Sequence, residues 1–198
     1  MEIQAQHISN RVERDVREVL FSQEQLQGRV AELGEQISSD YNGLQPVMVG
    51  VLKGVLVFMS DLLRCVTIPV EVDFMSVSSY SKEARQQGLV RVDKDLSIPI
   101  QGRHVLFIED IVDSGLTLYY LLKNLKSRQP ASLEVCTLFN KNERRLVEVP
   151  LKYRGFELPD RFVVGYGLDY HEKYRNLPFV GVLKPQALLP VKENHQGI

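Results

Sequence analysis

Residues 105–117, Val-Leu-Phe-Ile-Glu-Asp-Ile-Val-Asp-Ser-Gly-Leu-Thr, constrain this chain more than any other stretch. Four apolar residues in a row, Val105 to Ile108, are the pattern of a strand covered on both faces, which calls for a parallel sheet with a layer on each side. Two adjacent carboxylates, Glu109 and Asp110, close that strand at the end where an open α/β sheet forms its ligand crevice. Asp113 then opens a tight turn of small and hydroxyl residues, Ser114, Gly115, Leu116 and Thr117. Leu118, Leu121, Leu122 and Leu125 follow at helical spacing. The order is strand, acidic rim, phosphate-sized loop, helix N-terminus.

That order carries chemistry. Ser114 to Thr117 aim backbone N–H groups and two hydroxyls at one small volume, and the helix dipole adds partial positive charge there, which suits a phosphate. Glycine at 115 lets the backbone approach the anion without a Cβ in between. Acids beside a phosphate site repel the ligand unless they meet sugar hydroxyls, a divalent cation or a proton in transit.

The elements around this stretch follow from periodicity. Ser22 and Gln25 form a capping box, and Leu26, Val30, Leu33, Ile37 and Tyr41 share one face, predicting a helix over 23–41. Residues 46–52 read as a buried strand ended by Lys53-Gly54, 55–63 as a helix, and 68–79 and 89–92 as strands. A polar, charged loop or hairpin tip covers 81–88 between the last two. A strand over 131–139 follows the helix that ends near residue 128, and late strands are expected over 162–167 and 179–183. Residues 1–20 read as loosely ordered, with a short amphipathic helix through Val12, Val16, Val19 and Leu20. Strands alternating with helices imply right-handed βαβ crossovers and one α/β domain over residues 1–198. No dinucleotide turn or Walker A lysine loop is present.

Bulk properties exclude several classes. Lys+Arg 24 against Asp+Glu 25 gives a net charge of −1, which argues against a generic nucleic-acid or membrane-surface binder. The most apolar run, 46–63, is interrupted by Lys53 and Asp61, and no apolar signal core begins the chain, so a cytoplasmic protein is expected. Cys65 and Cys136 lack zinc spacing and read as a pair of buried free thiols, and the four histidines are scattered.

The run Glu109 to Thr117 resembles the phosphoribosyl-pyrophosphate (PRPP) signature of the phosphoribosyltransferases. Further motifs in the family's order, from about Gln25 to Pro185, narrow the resemblance to the hypoxanthine-guanine phosphoribosyltransferases. It implies the type I fold, a central parallel sheet flanked by helices with a small hood formed by terminal segments. It also implies a Mg²⁺-dependent purine salvage enzyme, acting as a homodimer or homotetramer, with neither nucleic acid nor membrane as partner. The reaction would be transfer of the phosphoribosyl group from PRPP to a 6-oxopurine base, giving IMP or GMP and pyrophosphate.

The resemblance also implies roles. Leu52, Lys53 and Gly54 would form the pyrophosphate loop, with a non-proline cis peptide between leucine and lysine, and Arg175 would reach the same ligand. Ser79-Tyr80 would belong to a flexible loop that closes over the site, although Lys82, Glu83 and Arg85 make this loop more charged than in relatives. Phe162 would stack on the purine, Lys141 would donate to its 6-oxo group and the Val163 backbone would read its edge. Glu109 and Asp110 would meet ribose hydroxyls directly or through Mg²⁺, with Asp169 as a further Mg²⁺ ligand, and Asp113 would take the N7 proton. Ser114, Gly115, Leu116 and Thr117 would hold the 5′-phosphate; some relatives carry a lysine where Leu116 stands, so N–H groups and hydroxyls must suffice here. Two alternatives share this fold: a PRPP-binding regulator, which requires a basic face, and a xanthine-preferring enzyme.

Overall fold

A computed structural model describes residues 13–79 and 90–188. Six strands form one sheet in the order β4-β3-β2-β5-β6-β7: β2 (Val47–Leu52), β3 (Glu71–Ser79), β4 (Val90–Lys94), β5 (His104–Val112), β6 (Ser132–Asn140) and β7 (Tyr153–Glu157). All neighbours in it are parallel except the β3–β4 edge pair. Three helices, α1 (Gln23–Asp40), α2 (Leu56–Cys65) and α3 (Leu116–Lys126), cover its faces.

The central strands are buried on both sides, as a row of Val, Leu, Ile and Phe requires. Met48, Leu106, Ile108, Cys136 and Leu138 pack with α1 and α2. Their neighbours Val47, Val49, Val105, Phe107 and Val135 pack with Leu118, Leu121 and Leu125 of α3. The capping box of α1 forms as expected: Ser22 Oγ accepts from Gln25 N, and Gln25 Oε1 accepts from Ser22 N at 2.8 Å.

Three expectations need correction. Residues 13–20 form a short 3-10 turn (Glu13–Asp15) and then strand β1 (Val16–Phe21), not a helix; β-branched Val16 and the neighbouring residues pair antiparallel with β8 (Val180–Leu183). A pattern this short fits either period, and the partner strand decides it. Phe21 anchors the resulting two-stranded unit on the main core, with ring centroids 4.6 Å from Phe156 and 5.3 Å from Phe139. Residues 162–167 are not a strand, because Gly165, Tyr166 and Gly167 have φ of +101°, +51° and +98°, which no ladder accommodates. Cys136 is buried, whereas Cys65 is only partly so. Strand β7 had no clear period: Arg154 and Gly155 interrupt it at the sheet edge. Among the described residues no helix is long and apolar enough to cross a membrane.

The sheet also makes a crevice. β2 pairs with β5 from Val47↔Val105 to Gly50↔Ile108 and no further. Beyond that point Val51 and Leu52 pair with β3, while Glu109, Ile111 and Val112 pair with β6. The chain leaves β2 for β3 on one side and β5 for β6 on the other, so the gap lies at a topological switch point, where α/β sheets bind ligands. Replacing Ser22 by Ala should lower unfolding free energy by about 1 kcal/mol, measured by urea denaturation, since one opening N–H of α1 loses its partner.

Candidate active site

The gap between β2 and β5 opens into a cleft of about 1040 Å³. Its walls include Leu52, Lys53 and Gly54, the whole run from Glu109 to Gly115 together with Thr117, and Lys141, Phe162, Val163, Asp169 and Arg175. Segments far apart in the chain therefore meet here. Leu116 opens α3 beside them. Ser79 ends β3, and Tyr80 with the expected loop over 81–88 lies outside the described residues.

The phosphate-sized loop is built by two constraints. Gly115 has φ +81° and caps α3, and a Cβ there would come within 2.9 Å of the Val147 carbonyl oxygen, so glycine is needed twice over. The Ser114 carbonyl accepts from Leu146 N at 2.9 Å, tying the loop to the chain after β6. The first turn of α3 then presents N–H groups that have no partners within the helix.

On the opposite wall the Leu52–Lys53 peptide is cis, as the resemblance implied. Gly54 presses on the acidic strand: a Cβ would sit 1.9 Å from Asp110 Oδ2. Gly167 backs this loop in turn, because a Cβ there would meet the Gly54 carbonyl oxygen at 2.2 Å. Tyr166 holds that turn through its hydroxyl, which donates to Asp61 Oδ2 at 2.5 Å. Arg175 donates to the Gly167 carbonyl at 2.8 Å and pairs with Asp169 at 2.9 Å.

Strand β5 runs on through Val112, so Glu109 and Asp110 lie inside the strand rather than closing it. Burial pushes the Glu109 carboxyl well above the usual range, and the neighbouring Asp110 charge adds to this. Asp110 is pushed up to about 6, chiefly by burial, with Asp169 also raising it while its bond from Ile111 N and the Arg175 charge pull it down. Crowded, partly desolvated carboxylates of this kind suit a cation. Among the described residues no three His, Cys, Asp or Glu side chains gather closely enough to hold one unaided. An ion here therefore needs oxygens from a substrate and water beside one or two carboxylates, the usual habit of Mg²⁺.

Asp113 has one oxygen, Oδ1, buried without a hydrogen-bond partner among the described residues, and its Oδ2 lies 4.0 Å from Arg144 Nη1. Lys141 is almost fully buried at 6% exposure, so it is no mere surface charge at a strand end. Its ammonium lies 4.0 Å from Asp160, which also pairs with Arg144. Phe162, by contrast, is 52% exposed on the cleft wall, with Tyr170 edge-on at 5.6 Å. A half-exposed ring and a buried donor lining one cleft are the groups that a flat heteroaromatic ligand uses.

The phosphoribosyl transferase domain model matches residues 18–171. The hypoxanthine-guanine phosphoribosyltransferase of Mycobacterium tuberculosis is 49% identical over 179 residues, 87% of this chain and 89% of the relative. The chain belongs to the hypoxanthine-guanine phosphoribosyltransferase family. The Bacillus subtilis member is 48% identical, covering 86% of this chain and 95% of its own. A crystal structure of a hypoxanthine phosphoribosyltransferase from Staphylococcus aureus superposes with a TM-score of 0.87 at 46% identity, covering 90% of this chain and 97% of that one.

Three residues of the site carry no role from the sequence reading: Arg144 and Glu172, which line the cleft, and Asp160, which pairs with Lys141 and Arg144. Arg144 and Arg145 are adjacent arginines, a pair that a nucleic-acid-binding regulator could use. In this member of the hypoxanthine-guanine phosphoribosyltransferase family the pair is engaged internally, Arg144 with Asp160 and Arg145 with Asn140. Asp160 and Glu172 carry no local signal, since neither sits in a recognisable pattern.

The raised Asp110 carboxyl makes a prediction about the protein without divalent cation. Its folded pKa exceeds its unfolded one, so the folded state binds the proton more tightly and stability falls as pH rises from about 4 to about 6. In EDTA at pH 8, Asp110→Asn should raise unfolding free energy by at most about 3 kcal/mol, with the gain shrinking towards pH 4. Urea unfolding at the two pH values checks it.

Proposed function

We propose that this chain transfers the 5-phosphoribosyl group of PRPP to N9 of hypoxanthine or guanine, giving IMP or GMP and pyrophosphate, with Mg²⁺ as cofactor. One observation carries this reading. A single cleft joins a basic wall at Lys53 and Arg175, a phosphate-sized helix N-terminus, and a buried lysine beside an exposed aromatic ring, with an acid between them. The family supports the reading, since its named members at 48–49% identity are hypoxanthine-guanine phosphoribosyltransferases.

Each residue then has a task. The N–H groups opening α3, with Ser114 and Thr117, bind the 5′-phosphate. Glu109 and Asp110 face the ribose hydroxyls. The backbone of Leu52 to Gly54 and the Arg175 guanidinium hold the pyrophosphate. Phe162 stacks on the purine, the Val163 backbone reads its edge, and Lys141 donates to O6. An adenine would offer that lysine an amino donor instead, so 6-oxopurines are favoured. As the C1′–O bond to pyrophosphate breaks and C1′–N9 forms, positive charge builds on the sugar and then the base. Asp113, whose inner oxygen has no partner among the described residues, takes the N7 proton. Asp110 and Asp169 with the ligand's oxygens would hold Mg²⁺, which neutralises charge on the leaving pyrophosphate.

The reading takes residues 1–198 as one cytoplasmic domain, with Ser79-Tyr80 and the segment after it excluding water during the reaction. The family likeness supports an assembly of two or four copies, which sedimentation velocity resolves.

A turnover assay with PRPP and Mg²⁺ against hypoxanthine, guanine, xanthine and adenine separately tests the whole reading. IMP or GMP is expected, with little product from adenine. Turnover confined to xanthine reassigns the base, and no turnover on any base overturns the reading. Asp113→Asn should lower kcat by roughly 10²–10⁴ while leaving PRPP binding largely intact. Unchanged turnover removes Asp113 from the chemistry.

A further inference from the structure

Lys53 and Arg175 already share an anion of the protein's own. Glu172 Oε2 lies 3.0 Å from Lys53 Nζ and 3.3 Å from Arg175 Nη2. The carboxylate reaches both because the chain reverses tightly there: Tyr170 and Lys173 exchange backbone hydrogen bonds at 3.1 Å, with His171 and Glu172 at φ +50° and +63°. The turn is pinned, since Glu172 N donates to Asp169 Oδ2 at 3.0 Å. Arg175 is held separately, by the Gly167 carbonyl and Asp169.

A carboxylate oxygen bridging an ammonium and a guanidinium has the charge and donor pattern of a phosphoryl oxygen. A pyrophosphate engaging the same two cations must take them from Glu172, and the displaced carboxylate then faces it as a like charge. We propose that Glu172 is a positioning residue that competes with pyrophosphate for Lys53 and Arg175, weakening retention of this product. The inference rests on the reading that pyrophosphate binds at Lys53, Gly54 and Arg175.

The strength of the pair suits such a role. Lys53 and Glu172 side chains are 68% and 64% exposed, so their attraction is screened and worth only a few-fold in an equilibrium. A pair that weak yields to a ligand carrying several negative charges, yet still shifts the balance towards release. Asp169 is the better shielded partner of Arg175, with side-chain exposures of 31% and 25% for the two residues.

The test is pyrophosphate binding to the full chain in Mg²⁺, by calorimetry, with inorganic pyrophosphate as probe. Glu172→Gln should lower the Kd about two- to fivefold, and lower the pyrophosphate inhibition constant alike, while the KM for the purine stays as in the wild type. In a Lys53→Ala background most of that gain should vanish, the coupling expected of two residues acting on one ligand. Unchanged or weaker binding in Glu172→Gln, or an equal gain without Lys53, overturns the role of Glu172. A wild-type chain whose affinity ignores Lys53→Ala overturns the role of Glu172 but leaves the backbone site of Leu52 to Gly54, whereas one that binds no pyrophosphate overturns that site and the role of Glu172 with it.

Discussion

The backbone of Gly54 lies so close to the Asp110 carboxylate that a single methyl group between them would overlap Oδ2. Gly167 approaches the Gly54 carbonyl from the other side with as little room. Three segments more than fifty residues apart in sequence are thereby locked to one another: the loop after β2, the acidic stretch of β5 and the turn that carries Asp169 and Arg175. A side chain at either glycine would push the cationic wall away from the acids, and the charges of the cleft would lose their spacing. Much of the site's geometry follows from this contact, which only backbone can make.

The contact is reachable because the sheet divides where it does. Past Gly50 and Ile108 the ladder between β2 and β5 stops, and each strand keeps only its outer neighbour. The layers on both faces hold the rest of the sheet firmly enough for that gap to persist: α1 and α2 on one side and α3 on the other bury the alternating residues of β2 and β5. Polar groups then gather where packing ends. Glu109 and Asp110 stand in a partly dry place that raises both carboxyls, a cost to the folded state. Stability is given up at the place where charge is useful.

Much of this was legible in the chain itself. The row Val105 to Ile108 announced a doubly covered strand, and Ser22 with Gln25 announced the start of α1. Gly115 announced a tight turn before a helix, because each of these signals is local and resolved within a few residues. The resemblance carried by Glu109 to Thr117, Leu52 to Gly54 and Phe162 to Asp169 led to the right family. The failures have physical causes of the opposite kind. Residues 16–21 could satisfy a helix or a strand period, and only β8, more than 150 residues later, offered a partner. The apolar run at 162–167 looked extended, yet Gly165 and Gly167 fold it into left-handed turns against Gly54.

Sequence alone determined the parallel core, the capping box of α1, the acidic stretch of β5, the tight turn before α3 and the family. These depend on residue type and spacing along a few turns of chain. Tertiary structure decided which charges meet: Glu172 with Lys53, Asp160 with Lys141 and Arg144, and an Asp113 oxygen with no partner among the described residues. Such pairings join residues up to 119 positions apart. They are set by where β2 and β5 part and by how closely bare backbone can approach a carboxylate, and no local pattern encodes either distance.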